Sequence, residues 1–288
     1  MAAIQNPTIS DYINQLNSDL STLKDIMEEK GVTVTSSDNF TTLCPKVADI
    51  GGDPVSPKTI SFSGLTSTSI ALDNLNTVNI NSMAEMFKNC TNLTTLDVSS
   101  FNLTNVTNMS QMFSGCTALT SLTLGNFNSS NVTNMQSMFY NIGESLTSWN
   151  ITSFNTSSVT NMESMFSGNT NQNFVNDIIK KMNTSNVTNM NSMFYGCNTF
   201  TNLNLSYCVG APASVNGMFK GCTSLQTLDL RNLEFSQITG ATQWNEILGG
   251  GSSLVPYDCL IIVKNSTEKS WFTSKYPYHN NIKTVAEL

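Results

Sequence analysis

One short unit recurs along the middle of this chain, and its period restricts the fold more than any other feature. Met-Phe pairs stand at Met86-Phe87, Met112-Phe113, Met138-Phe139, Met165-Phe166, Met193-Phe194 and Met218-Phe219, at steps of 26, 26, 27, 28 and 25 residues. A degenerate copy, Trp244-x-x-Ile247-Leu248, follows 29 residues later. The rest of the unit keeps phase. Val-Thr-Asn-Met begins at Val106, Val132, Val159 and Val187, Gly-Cys recurs at Gly115-Cys116, Gly196-Cys197 and Gly221-Cys222, and Leu-x-x-Leu-x-Leu recurs at Leu119, Leu122, Leu124 and at Leu225, Leu228, Leu230. Self-similarity at such a period is the mark of stacked repeats.

Two local periodicities define the unit. Leu-x-Leu alternates, which suits a short strand, and Met-x-x-Met-Phe places apolar groups at i, i+3 and i+4, which suits one helical or 3₁₀ turn. Neither piece buries its apolar side alone. Stacked copies do, each adding about 4.8 Å of parallel sheet. The reading is an α/β repeat solenoid, with parallel strands, short helical turns and a core of Met and Phe. One copy is irregular. In NTNQNFVNDIIKKMN, Asp177 falls where the second inward Leu belongs, while Phe174, Ile178 and Met182 are spaced by four, so a short helix or a one-residue register shift is expected there.

Four regions follow: a helical module over 1–50, a linker over 51–57, about seven repeats over 58–250, and a C-terminal cap over 251–288. In the first, Ile9, Ile13, Leu16, Leu20, Leu23 and Met27 are spaced as a heptad. That stripe either self-associates into a dimer or trimer or folds back on the segment holding Phe40, Leu43, Val47 and Ile50. In the cap, Cys259 to Val263 reads as a final strand, and Asn265 or Ser266 caps a helix running through Lys275.

Only 11% of residues are charged and the net charge is -7, which supplies no basic surface for a phosphate backbone and excludes nucleic acid as a partner. The longest apolar run, Cys259 to Val263, is far shorter than the roughly 20 residues of a membrane span, so no membrane insertion is expected. The N-terminus, MAAIQNPTISDY, has neither the basic start nor the apolar stretch of a secretory signal. Catalysis is not expected. The single histidine, His279, has no nucleophile motif near it, and Asp97 and Asp229 read as solvated acids on strands too distant to act as a pair. No cofactor or metal is expected, the Met stripe being core. Cys90, Cys116, Cys197 and Cys222 share one inward phase and are expected as buried free thiols; only adjacent copies, such as Cys90 with Cys116, are placed to bridge. Cys44, Cys208 and Cys259 follow no pattern.

The outward strand positions form the candidate binding face: Thr95 and Asp97, Ser121 and Thr123, Ser148 and Asn150, Asn202 and Asn204, Thr227 and Asp229. They are small and neutral, without the Tyr, Trp and Arg anchors of interface hot spots. Tyr140 and Tyr195 each follow a Met-Phe pair and belong to another face, with Tyr207 a third exposed candidate.

The strings FNLTNVTNMSQMFSGCTALTSLTL, FNSSNVTNMQSMFYN and FNTSSVTNMESMFSGN resemble the BspA-type leucine-rich-repeat surface proteins of bacteria and their viruses, over about Asn79 to Leu233. That resemblance implies a right-handed leucine-rich-repeat solenoid and adhesion rather than catalysis. NQLNSDLSTLKDIMEEKGV followed by NFTTLCPKVADI is similar to a module that opens tail-fibre and other virion proteins of phages infecting Gram-positive bacteria. Together the resemblances imply a virion protein, made in the host cytoplasm and anchored to other virion proteins by residues 1–50. Its repeats then meet a host-surface protein or glycan. A capsid or tail decoration without host recognition, and a bacterial surface adhesin, are the alternatives.

Overall fold

In the computed structural model, which describes residues 59–72, 75–142, 145–240 and 246–288, each Leu-x-Leu segment becomes a strand because the repeat before it offers a matching edge. The heptad of Ile9, Ile13, Leu16, Leu20, Leu23 and Met27 lies outside the described residues. Strands β1 (Thr95–Asp97), β2 (Ser121–Phe127) and β3 (Ser148–Phe154) form one parallel sheet in the order β1-β2-β3. A second parallel sheet, in the order β4-β5-β6-β7, holds β4 (Asn202–Asn204), β5 (Thr227–Asp229), β6 (Leu260–Val263) and β7 (Ile282–Thr284). The boundary drawn at 250 therefore falls inside a single hydrogen-bonded sheet.

A second ladder runs beside the strands. Thr59, Ser82, Asn108, Asn134, Asn161, Asn189 and Ser214 are bridged in parallel, each to the next, so successive repeats lie side by side without a gap. Here the composition finds its use. Thr107, Thr133, Thr160 and Thr188 each donate a hydroxyl to a carbonyl of the preceding repeat at 3.2–3.3 Å. Asn105, Asn131 and Asn186 do the same with side-chain amides at 2.7 Å. Neutral Asn and Thr thus satisfy main-chain acceptors between repeats from exposed positions.

The Met-Phe segment departs from the expected helical turn. N–H groups of Met83, Glu85, Phe87 and Asn89 donate sideways to carbonyls of Asn108, Ser110, Met112 and Ser114 in the next repeat, at 2.8–2.9 Å. The alternate N–H groups of Met86, Lys88 and Cys90 close turns on the residue three back, at 3.1–3.3 Å. A helix would need all of these donors along its own axis; sharing them with the neighbour gives consecutive turns instead. Each segment needs two left-handed residues. Asn89, Gly115, Asn141, Gly168, Gly196 and Gly221 hold the second position with φ of 50–85°, which Gly and Asn tolerate best. At Gly221 a Cβ would meet the Gly196 Cα at 3.0 Å. Gly221→Ala should therefore lower stability by about 1–2 kcal/mol, read from the urea midpoint, through left-handed strain and backbone crowding.

Between the turns and the strands runs the core. Phe62, Phe87, Phe113, Phe139, Phe166, Phe194 and Phe219 form one column of near-parallel rings, with successive centroids 5.5–6.0 Å apart. The paired methionines from Met83 to Met218 are buried around it.

The irregular copy forms helix α1 (Gln172–Ile179), capped by Asn171, whose side chain accepts from the Phe174 N–H at 3.0 Å. Phe174, Val175, Ile178 and Ile179 turn inward. Because a helix cannot extend a parallel ladder, the sheet is interrupted between β3 and β4. Gln172 compensates: its side-chain carbonyl accepts from the N–H groups of Thr201 and Asn202 at 2.7 and 3.0 Å, the place that the main-chain carbonyls of Thr94 and Thr201, just before β1 and β4, fill elsewhere.

At the C-terminus, helix α2 (Ser266–Lys275) begins at Asn265, which accepts from the Glu268 N–H at 3.1 Å. The strand at Cys259–Val263 is not the last one, as the sequence had suggested. β7 adds a further parallel strand beyond α2, too short to leave a periodic signal and held by its register with β6.

Candidate interaction surfaces

Within each sheet the outward strand positions line up across the repeats. Thr95, Ser121 and Ser148 are in register, as are Asp97, Thr123 and Asn150; Asn202 pairs with Thr227, and Asn204 with Asp229. The two groups belong to different sheets, with α1 between them, so they form two patches rather than one face.

Much of the polarity on these patches is used internally. Asp97 accepts from the Ser99 N–H at 2.9 Å and Asn204 from the Ser206 N–H at 2.9 Å, closing the turn that ends each strand. Asp229 does the same for Arg231 at 3.2 Å. It is not a solvated acid, as its alternating position had implied. It is 5% exposed, because the Arg231 guanidinium folds back on it with Nε 2.9 Å from both carboxylate oxygens and Nη2 2.5 Å from one. Ser121, Thr123 and Thr227 are half-buried, leaving Thr95, Asp97, Ser148, Asn150, Asn202 and Asn204 open.

Beside the first patch, Trp149 takes the strand position that Leu96 and Leu122 hold in earlier repeats. Its indole N–H donates to Asp177 at 3.1 Å, and its ring meets Phe174 edge-on. Partial burial opposes ionisation of Asp177, yet hydrogen bonds from Lys181 and Trp149 hold its carboxyl below the usual range. Asp177, an anomaly in the repeat, thus joins α1 to the sheet.

The repeated thiols hold neighbouring repeats together. Cys90, Cys116, Cys197 and Cys222 are buried and free, and each donates to a Phe carbonyl of the preceding repeat, those of Phe62, Phe87, Phe166 and Phe194, at 3.0–3.2 Å. The neighbouring thiol, and burial after it, push Cys116 and Cys222 up, and burial pushes Cys208 and Cys259 up to about 12, whereas the Cys116 thiol lowers Cys90 to about 7. The raised thiols, held protonated, are poor nucleophiles and poor metal ligands. The lane lacks Cys at two positions: Ile142 fills one, and Asn169 fills the other, donating to the carbonyls of Phe139 and Phe166 at 2.7 and 2.8 Å.

His279 is 4% exposed, near Tyr257 and Tyr276, and neither ring nitrogen has a hydrogen-bond partner among the described residues. Burial holds its imidazole below the ordinary value. As pH falls through about 6.5, the unfolded chain takes up a proton that the folded chain refuses, so stability is full above that pH and declines below it. Thermal melts between pH 7.5 and 5 (chosen to bracket that value) should show this decline, and His279→Phe should flatten it. A slope unchanged in the variant would exclude the assignment.

Tyr140, Tyr195 and Tyr207 are exposed, as are Tyr257 and Tyr278. Among the described residues no helix is long and apolar enough to cross a membrane, and no group of three or more His, Cys, Asp or Glu is placed to hold a metal ion.

No curated protein and no solved structure matches the chain. Two overlapping stretches, residues 59–152 and 144–248, match a family and together cover more than half of the 288 residues. The chain belongs to that family, described as Mycoplasma protein of unknown function, DUF285, which is associated with BspA-like surface repeat proteins.

Proposed function

We propose that the chain is a non-enzymatic leucine-rich-repeat solenoid that serves a phage as a virion surface appendage. In this reading residues 1–50 attach it to other virion proteins as a dimer or trimer, and its repeats contact a protein or glycan of the host surface. The observation that carries the binding role is the unbroken parallel ladder from Thr59 to Ser214, which keeps successive repeats in register along one extended surface. The association of the family with surface repeat proteins supports it, and the similarity of residues 10–50 to virion modules supports the attachment site. That the repeat's polar groups are largely engaged in holding neighbours together favours a scaffold over a reaction centre.

Incorporation tests the reading. Purified particles should contain the chain, deletion of residues 1–50 should remove it, and added soluble protein should block adsorption of particles to cells. A chain absent from particles would sink the virion role. The description of the family as a Mycoplasma protein favours a second reading, a bacterial surface adhesin, which predicts the chain on the cell exterior instead.

A further inference from the structure

The turn side of the repeats carries a feature that the strand side lacks. The position after each Met-Phe pair is held by Lys88, Ser114, Tyr140, Ser167, Tyr195 and Lys220. The Gly115 N–H donates to the Tyr140 carbonyl at 2.9 Å, the Asn141 N–H to the Ser167 carbonyl at 2.8 Å and the Gly168 N–H to the Tyr195 carbonyl at 2.8 Å, so these residues form one lane across the stack. Tyr140 and Tyr195 are 43% and 45% exposed, with Ser167 between them 3% exposed. Two repeats apart, they sit about 9–10 Å from each other along the stack, given the spacing of paired strands.

The surroundings are uncharged in effect. Lys88 is paired with Glu85 at 2.8 Å and Lys220 with Glu246, so both cations of the lane are already neutralised. From Asn141, the residue after Tyr140, begins a small notch of about 20 Å³ lined by Thr117, Asn141, Ile142, Gly168 and Thr170, which offers hydroxyl and amide groups. The backbone around it is fixed by the hydrogen bonds between repeats, so the main-chain positions that carry the two rings are held at a set interval.

A pyranose has a C–H face that packs on an aromatic ring and a rim of hydroxyls that neutral donors and acceptors satisfy. In an extended β-linked chain each sugar is flipped relative to the next, so every second ring presents the same face to one side. The lane has the same alternation: ring, small residue, ring. We propose that Tyr140 and Tyr195 form a platform for a neutral, extended, β-linked oligosaccharide, stacking on alternate sugars while Thr117, Asn141 and Thr170 bind hydroxyls. This rests on the surface-recognition reading above and names its ligand class. A protein partner fits less well, because the platform lacks the enclosed, desolvated pocket in which hot-spot residues act.

Calorimetric titration of the full chain tests it, with β-1,4-linked hexasaccharides of glucose and of N-acetylglucosamine as probes and α-1,4-linked glucose hexasaccharide as the geometric control. A β-linked probe should bind and the α-linked one should not. Tyr140→Ala and Tyr195→Ala should each weaken binding about tenfold, the scale of one lost ring contact, while Tyr→Phe at either position retains it. Failure of both β-linked probes, equal binding of the α-linked control, or affinity unaltered in the alanine variants would overturn the platform. Adsorption to a panel of Gram-positive cells separates this from the broader reading. Adsorption that persists in the double alanine variant, or that protease treatment of the cells removes, overturns the platform and leaves surface recognition. Tyrosine-dependent saccharide binding without adsorption to any cell supports the platform and removes the surface role.

Discussion

Replacing Phe139 with alanine should lower the free energy of unfolding by about 3–5 kcal/mol, measured as a fall in the urea midpoint. Phe139 is fully buried at the middle of the ring column. It stacks on Phe113 at 5.6 Å and Phe166 at 5.9 Å, and it also meets Phe154 at 6.3 Å and Phe174 at 5.5 Å. Two of these partners are its column neighbours, one belongs to β3 and one to α1. Deleting the ring therefore opens a cavity where the first sheet, the helix and the turn side converge. The hydrogen bonds between repeats limit how far the walls can collapse into it, which places the cost at the high end for a large-to-small change. Phe62→Ala, in the half-buried first ring, should cost clearly less. Equal losses at the two positions would mean that the column does not act as a continuous core.

Glu268→Ala should cost about 3–5 kcal/mol, with the effect concentrated at the C-terminal end. The side chain is 2% exposed, and its carboxylate accepts from the Phe235 N–H at 2.9 Å and the Ser236 N–H at 3.1 Å. These contacts join α2 to the preceding repeat. Alanine leaves the buried Phe235 N–H and the half-buried Ser236 N–H without this acceptor, each bond to a carboxylate being worth about 1.5–3 kcal/mol. Trp271 reports the event, because it packs on Phe235 at 6.0 Å and donates to the Ile238 carbonyl at 3.3 Å. Its emission should shift to the red at lower denaturant than the global transition, and amide exchange should quicken in β6 and β7 before it does in β2. Uniform loss of protection along the chain would instead mean that the repeats and the C-terminal end unfold as one unit.

Several of these features were legible in the residues. The repeat phase picked out the Met, Phe and Cys that are buried, since a position that recurs at constant spacing meets its own counterpart in the neighbour. The short helix around Phe174 and Ile178 showed itself by a spacing of four, and the cap at Asn265 by residue type, whereas the cap at Asn171 was not singled out. The shape of the Met-Phe segment was not legible. Apolar groups at i, i+3 and i+4 fit one helical turn and two consecutive turns equally well; what separates them is the destination of the alternate N–H groups, which lies in another repeat. Asp229 misled for a related reason. Alternation gave it an outward, solvated place, but Arg231, two residues on, covers it. β7 left no trace because three residues carry no period.

The amino-acid order by itself determined that this chain repeats, which side chains face the shared interior, and that little charge is available for electrostatic recognition. All three follow from composition and period, which act locally and alike in every copy. Tertiary structure alone decided how each turn is bonded, that α1 divides the outward strand positions into two patches, and which polar side chains remain free for a partner. Those outcomes depend on hydrogen bonds between residues some 25–30 positions apart, and the geometry of such contacts exists only once neighbouring copies have come together.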